Sequence, residues 1–85
     1  MDIDHLVEMA NQVGRFFMAE PDRQQALLDT ATHLRRSWDP RMRSALFQHV
    51  DQRGGEGLEP FVAEAVRVHR KLLEPVAKRG AAAGK

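Results

Sequence analysis

His33-Leu34-Arg35-Arg36-Ser37-Trp38-Asp39-Pro40-Arg41-Met42-Arg43 places the only tryptophan of the chain between two pairs of arginines and directly before an Asp-Pro step. A proline disfavours the α conformation in the residue before it, so a helix arriving from the N-terminal side stops near Trp38. A new helix can start at once. The Asp39 carboxylate is placed to cap it, and Pro40 suits the first helical position, where its missing N–H is harmless. The stretch therefore predicts a sharp corner between two helices, made by Asp39 and Pro40 and lined with positive charge.

Both flanks carry helical periodicity. On the N-terminal side Leu27, Ala31, Leu34 and Trp38 form an inward stripe, and Pro21 fits that helix's first turn. On the C-terminal side Met42, Ala45, Leu46, His49 and Val50 fall at i, i+3, i+4, i+7 and i+8, and Gly54-Gly55 ends the helix, with Gly57 continuing the loop. A further helix is predicted from Asp4 to Ala19, with Asp2 or Asp4 as cap and Ile3, Leu6, Ala10, Val13, Gly14 and Phe17 facing inward. Gly14 costs roughly 1 kcal/mol against alanine within a helix, so its use is to let another helix approach closely. The short turn after Ala19 makes the first two helices antiparallel. Pro60 opens a fourth helix with Phe61, Val62, Ala65, Val66, His69, Leu72 and Leu73 on its apolar side, and Pro75 closes it.

No stretch alternates as a strand does. The expected fold is all-α: one small domain, a four-helix bundle over residues 1–75, followed by a flexible tail over 76–85, where there is almost nothing apolar to bury. Eighty-five residues can cover only one modest core. A composition of 42% hydrophobic and 29% charged residues is that of a globular protein.

Composition also narrows the chemistry. There is no cysteine, which removes disulfides, thiolate nucleophiles and thiolate ligation of zinc or an iron–sulfur cluster. No apolar run approaches the roughly 18 residues of a membrane span, and the opening Met-Asp-Ile-Asp is acidic where a signal peptide is basic. The expectation is a cytoplasmic protein that does not engage a membrane. The net charge of +1 conceals a polarity: residues 1–30 carry six acids against two arginines, whereas residues 31–53 carry five arginines against two acids. A near-neutral total argues against a dedicated nucleic-acid binder.

The four histidines, His5, His33, His49 and His69, fall on four different helices without metal-ligand spacing, and no nucleophile elbow, zinc-protease motif or phosphate loop is present. No catalytic, cofactor-binding or metal-binding residue is assigned, and the chain is read as a non-enzyme. The arginine corner is different in kind. Arg35 and Arg36 complement the negative end of their helix dipole, whereas Arg41 and Arg43 sit at a helix start, where positive charge is disfavoured. Arginines bracketing a tryptophan match the composition of interface hot spots. Phe47 falls off the stripe of its helix, and Phe16 and Met9 lie at or past the edge of theirs. The partner-binding candidates are accordingly Arg35, Arg36, Trp38, Arg41, Arg43, Phe47 and Phe16. A plainer reading stands beside this one, in which Trp38 is core, the arginines are solvated, and a small core wraps more than one face of each helix.

Trp38-Asp39-Pro40-Arg41-Met42-Arg43, Met9-Ala10-Asn11-Gln12 with Phe16-Phe17, His33-Leu34-Arg35-Arg36, and Pro21-Asp22-Arg23 occur here in an order that resembles the delta subunit of soluble, NAD-dependent, molybdenum- or tungsten-containing formate dehydrogenases. The resemblance runs from Asp2 to Val66 and departs at Ser37, where many members carry an aromatic residue. It implies a cofactor-free accessory subunit that associates with the catalytic alpha subunit and supports assembly, stability or maturation. The implied complex oxidises formate with NAD. Its alpha subunit holds a bis-pterin molybdenum or tungsten centre and iron–sulfur clusters, and its beta and gamma subunits carry FMN and further clusters. Two alternatives remain open: a helical nucleic-acid-binding module, since the corner has the outline of a helix-turn-helix, and a transient chaperone for cofactor insertion.

Overall fold

The computed structural model describes residues 2–75, and the expected tail, residues 76–85, lies outside them. Five helices follow in order: α1 (Ile3–Phe17), α2 (Arg23–Ser37), α3 (Pro40–Arg53), α4 (Pro60–Val68) and α5 (Arg70–Leu73). No strand occurs among the described residues. The first three helices share one start signal. Asp2, Asp22 and Asp39 each adopt an extended backbone and accept a hydrogen bond from an N–H of the first turn, at 3.0 Å from Asp4, 3.2 Å from Gln25 and 3.0 Å from Met42.

α1 begins one residue before and ends two residues before the expected bounds, and two further boundaries differ from the sequence expectation. Pro21 does not lie in the first turn of α2; it belongs to the preceding turn, because the Asp22 carboxylate takes the capping position and sets the start at Arg23. The expected fourth helix is two. It breaks at His69, whose φ of −106° and ψ of 33° leave the helical region, and the carbonyl of His69 then receives the N–H groups of Leu72 and Leu73. The break re-aims the chain, so that Leu73 and Pro75 enter the core while Val68 and Leu72 stay exposed. A continuous helix through this segment would hold Leu73 in the register of its own first turns.

α1 packs on α2, α3 and α4, and α2 packs on α4 and α5. With three neighbours, α1 buries a wider face than a single stripe: Val7 and Asn11 are buried beside Leu6, Ala10 and Gly14. Leu34, Leu46, Val62, Val66 and Leu73 form the fully enclosed centre, with Trp38, Phe47 and Phe61 around it. Gly14 works as its position suggests: a Cβ there would intrude on Cγ2 of the buried Val62, so its absence sets the α1–α4 approach. Gly54 closes α3 in the left-handed conformation at φ 68°, donating its N–H to the carbonyl of Val50.

The loop from α3 to α4 is tied down by Asn11. Its amide donates to the carbonyl of Gly57 at 3.0 Å and accepts from the N–H of Glu59 at 2.9 Å. One side chain of α1 thereby satisfies two loop groups next to the start of α4.

Candidate protein-docking surface

The corner forms where the sequence places it, with α2 ending at Ser37, Trp38 extended, Asp39 capping and Pro40 opening α3. The four arginines around it then divide in an unexpected way. Arg35 reaches from α2 to α5 and donates from Nη1 to the carbonyl of Leu72 at 3.0 Å. Arg43 turns inward, donating from Nε to the carbonyl of Trp38 at 3.2 Å and from Nη1 to the carbonyl of Leu73 at 2.8 Å. Both guanidiniums therefore bind the carbonyl end of α5, where a helix leaves its last acceptors unfilled. Arg43 is only 7% exposed. Burial pushes its pKa down and the charge of Arg35 adds to that, while Asp39 opposes it.

Arg36 and Arg41 are left over. Both are exposed, and neither forms a hydrogen bond or ion pair with a described residue. The pairing that the helix dipole suggests, with Arg35 and Arg36 serving the fold and Arg41 and Arg43 serving a partner, is thus not the one observed. One arginine of each pair serves the fold and one faces solvent.

The aromatic candidates divide too. Trp38 and Phe47 are each 4% exposed and belong to the core. Phe47 does not project outward as its offset from the stripe suggests, because the guanidinium of Arg70 lies over its ring at 4.7 Å and roofs it. Arg70 is itself held by both carboxylate oxygens of Asp51, at 2.8 and 2.9 Å, and by Glu74 at 2.8 Å, which keep its pKa above the ordinary arginine value. Phe16 behaves oppositely: it is 75% exposed, against the edge of Phe17.

Phe16 borders a groove of about 510 Å³ between α1 and the corner, lined by Met9, Val13, Phe17, Trp38 and Met42, with Gln12, His33 and Ser37 on its rim. The His33 ring stands 5.7 Å from that of Phe17, and its Nε2 lies 3.3 Å from the Ser37 hydroxyl. Arg36 precedes Ser37 and Arg41 precedes Met42 in the sequence, so each of these two exposed arginines stands one residue from a groove-lining residue without itself lining the groove. Sequence reasoning had no signal for this groove beyond the edge positions of Met9 and Phe16, since its walls come from three helices. It also missed Asn11 and Arg70, whose partners lie 46 and 19 residues away.

The histidines do not converge. His5 is exposed, His49 lies 2.7 Å from the carbonyl of Glu56 through Nε2, and His69 sits at the α4–α5 break. Among the described residues, no three His, Asp or Glu side chains gather closely enough to hold a metal ion, and no helix is long and apolar enough to cross a membrane. The geometry offers a surface for contact, with an apolar centre, and two exposed arginines on the helices that form the corner.

Residues 5–66 match the family described as the NADH-dependent formate dehydrogenase delta subunit. The chain belongs to this family. Every groove-lining residue, from Met9 to Met42, falls within the matched segment, as do Arg36 and Arg41. The delta-subunit match stops before α5, so the carbonyls of Leu72 and Leu73 that Arg35 and Arg43 hold lie beyond it. Comparison with curated proteins and with solved structures gave no match.

Proposed function

We propose that the chain is a non-catalytic small subunit of a cytoplasmic, NAD-dependent formate dehydrogenase, bound to the molybdenum- or tungsten-containing alpha subunit and supporting assembly, stability or maturation of the complex. The observation that carries this reading is the delta-subunit family match over residues 5–66 of an 85-residue chain. A chain without cysteine supplies no thiolate to an iron–sulfur cluster, which agrees with the cofactor-free role that the resemblance implies, the clusters, pterin-bound metal and FMN being assigned by that resemblance to the alpha, beta and gamma subunits. The contribution of this chain is a surface: Phe16 exposed beside an apolar groove, with Arg36 and Arg41 left without internal partners. Exposed aromatic and arginine side chains around an apolar depression match the composition of protein interfaces.

The test is co-expression of the tagged chain with the genes of the large subunits. The expected result is stoichiometric recovery of the alpha subunit with the chain through size exclusion, and less assembled, formate-oxidising complex when the chain is omitted. Recovery without the alpha subunit overturns the reading. Binding only to alpha that lacks its metal centre, with release on loading, identifies a transient chaperone instead.

A further inference from the structure

We propose that the groove between α1 and the α2–α3 corner receives an amphipathic helix of the partner subunit, which buries large apolar side chains against Met9, Phe16 and Met42 and sets carboxylates against Arg36 and Arg41. This inference rests on the subunit reading above and specifies the chemistry of the contact.

The shape favours a helix. Met9, Val13 and Phe16 lie at i, i+4 and i+7 on α1, a straight wall of about 10 Å at 1.5 Å per residue, and Met42 and Trp38 face it from the corner. A groove of this length between α1 and the α2–α3 corner matches the helix-in-groove mode, in which the guest presents anchors at i, i+3 or i+4, and i+7. The two methionines suit that use, because an unbranched thioether re-packs readily around an incoming side chain.

The charge specifies the guest. Arg35, Arg36, Arg41 and Arg43 form no ion pair with any described residue, and neither does Arg67 on α4, whereas Arg15, Arg23, Arg53 and Arg70 all do. The one acid between them, Asp39, is occupied in capping α3. The corner therefore presents arginines without a carboxylate partner beside an apolar groove, Arg36 and Arg41 among them fully available, and an occupant bearing carboxylates complements them. Residues 76–85 of the chain itself are excluded by sign, since they contain Lys78, Arg79 and Lys85 and no acid. A second copy placed across a two-fold axis sets this same corner, whose one acid Asp39 is occupied in capping, against itself, so it brings Arg36 and Arg41 no free carboxylate. Nucleic acid satisfies the two arginines but leaves Met9, Val13 and Phe16 with nothing to bury against.

The experiment measures the affinity of the full chain for the purified alpha subunit at about 50 and about 300 mM salt. Met9→Ala/Phe16→Ala is expected to weaken binding by about tenfold or more with an unchanged salt dependence. Arg36→Glu/Arg41→Glu is expected to weaken it at least as much and to flatten the salt dependence. Phe16 is exposed but Met9 is partly buried against the core, so Met9→Ala/Phe16→Ala is compared with wild type at a temperature below its own thermal transition. An acid at position 41 complements the dipole of α3 and one at position 36 opposes that of α2, so Arg36→Glu/Arg41→Glu keeps a thermal transition near that of wild type. Arg67→Glu, the same charge change at an exposed position of α4, stays within about twofold of wild type. Hydrogen exchange on the alpha subunit is expected to show protection, on binding, of a helix with acidic residues beside an apolar stripe.

Wild-type affinity in both double variants overturns the groove proposal and leaves the subunit reading intact. Failure of the wild-type chain to bind alpha removes both. Concentration-dependent self-association that Phe16→Ala abolishes makes a second copy the occupant, and salt-sensitive DNA binding lost in Arg36→Glu/Arg41→Glu makes it nucleic acid; either result overturns the proposal. Protection confined to an extended segment of alpha refutes the helical guest.

Discussion

Arg43 donates a hydrogen bond to the carbonyl oxygen of Leu73 at 2.8 Å, joining the first turn of α3 to the last residue of α5 across 30 positions of sequence. The same guanidinium donates to Trp38, so one buried cation ties together both sides of the corner and the final helix. Carbonyl dipoles rather than a carboxylate receive the charge. Such an arrangement uses the planar fork of arginine, whose donors diverge in fixed directions.

Replacing that fork is expected to be costly. Arg43→Ala lowers the unfolding free energy by about 2–3 kcal/mol, because it opens space and strands two acceptors that a charged donor had filled. Arg43→Lys lowers it by about 1–2 kcal/mol, since a single ammonium replaces donors that diverge to two carbonyls. Urea titration followed by circular dichroism measures both. Equal stability of the two variants and wild type refutes the assignment of Arg43 to the fold.

Gly14 permits a close contact that any side chain disturbs. Gly14→Ala gains about 1 kcal/mol in helix propensity yet is expected to lose about 1–2 kcal/mol net, because its Cβ meets the stiff, buried Val62. In a Val62→Ala background the same substitution becomes neutral or stabilising. A double-mutant cycle read by thermal denaturation reports this coupling directly.

Asn11 bridges Gly57 and Glu59 with an amide that donates and accepts at once. Asn11→Asp removes the donor and turns a carboxylate toward the Gly57 carbonyl, so a loss of about 2–3 kcal/mol at neutral pH is expected. Burial beside a carbonyl raises the folded-state pKa of the introduced carboxyl above its unfolded value of about 3.9. Its protonated form can donate to Gly57, so the deficit is small below that unfolded value and grows as pH rises through the folded one. The stability difference from wild type, followed from pH 7 toward about pH 4, narrows if this holds.

Arg70 fastens α5 to α3 through Asp51 and shields Phe47. Its side chain is partly exposed, so screening reduces the worth of the ion pairs, and Arg70→Gln is expected to cost about 1 kcal/mol. The part due to Asp51 and Glu74 diminishes in high salt, whereas the part due to covering Phe47 persists. Denaturation at low and high salt separates them.

The corner shows how far local chemistry carries. Asp39 and Pro40 announce it because capping and the proline constraint act within four residues, and the structure places both as the sequence predicts. The arginines around it could not be sorted in the same way. Whether Arg43 faces the core depends on where α5 ends, and α5 exists only because the chain breaks at His69, a residue with no helix-breaking character of its own. Phe47 was misplaced for the same reason: helical periodicity counts the neighbours of one face, and the roof over Phe47 comes from Arg70 on another helix.

Sequence by itself determined the all-α class, the cap at Asp39, the corner, the close approach at Gly14 and the family to which the chain belongs. Each is encoded within a turn or two of helix or in ordered motifs, where short-range sterics and hydrogen bonding leave few options. Tertiary structure alone decided which arginines are free, which aromatics are exposed, and that Met9, Phe16 and Met42 share one groove. Those outcomes depend on side chains from three or more helices meeting in space, and burial is a property of that meeting rather than of any one segment.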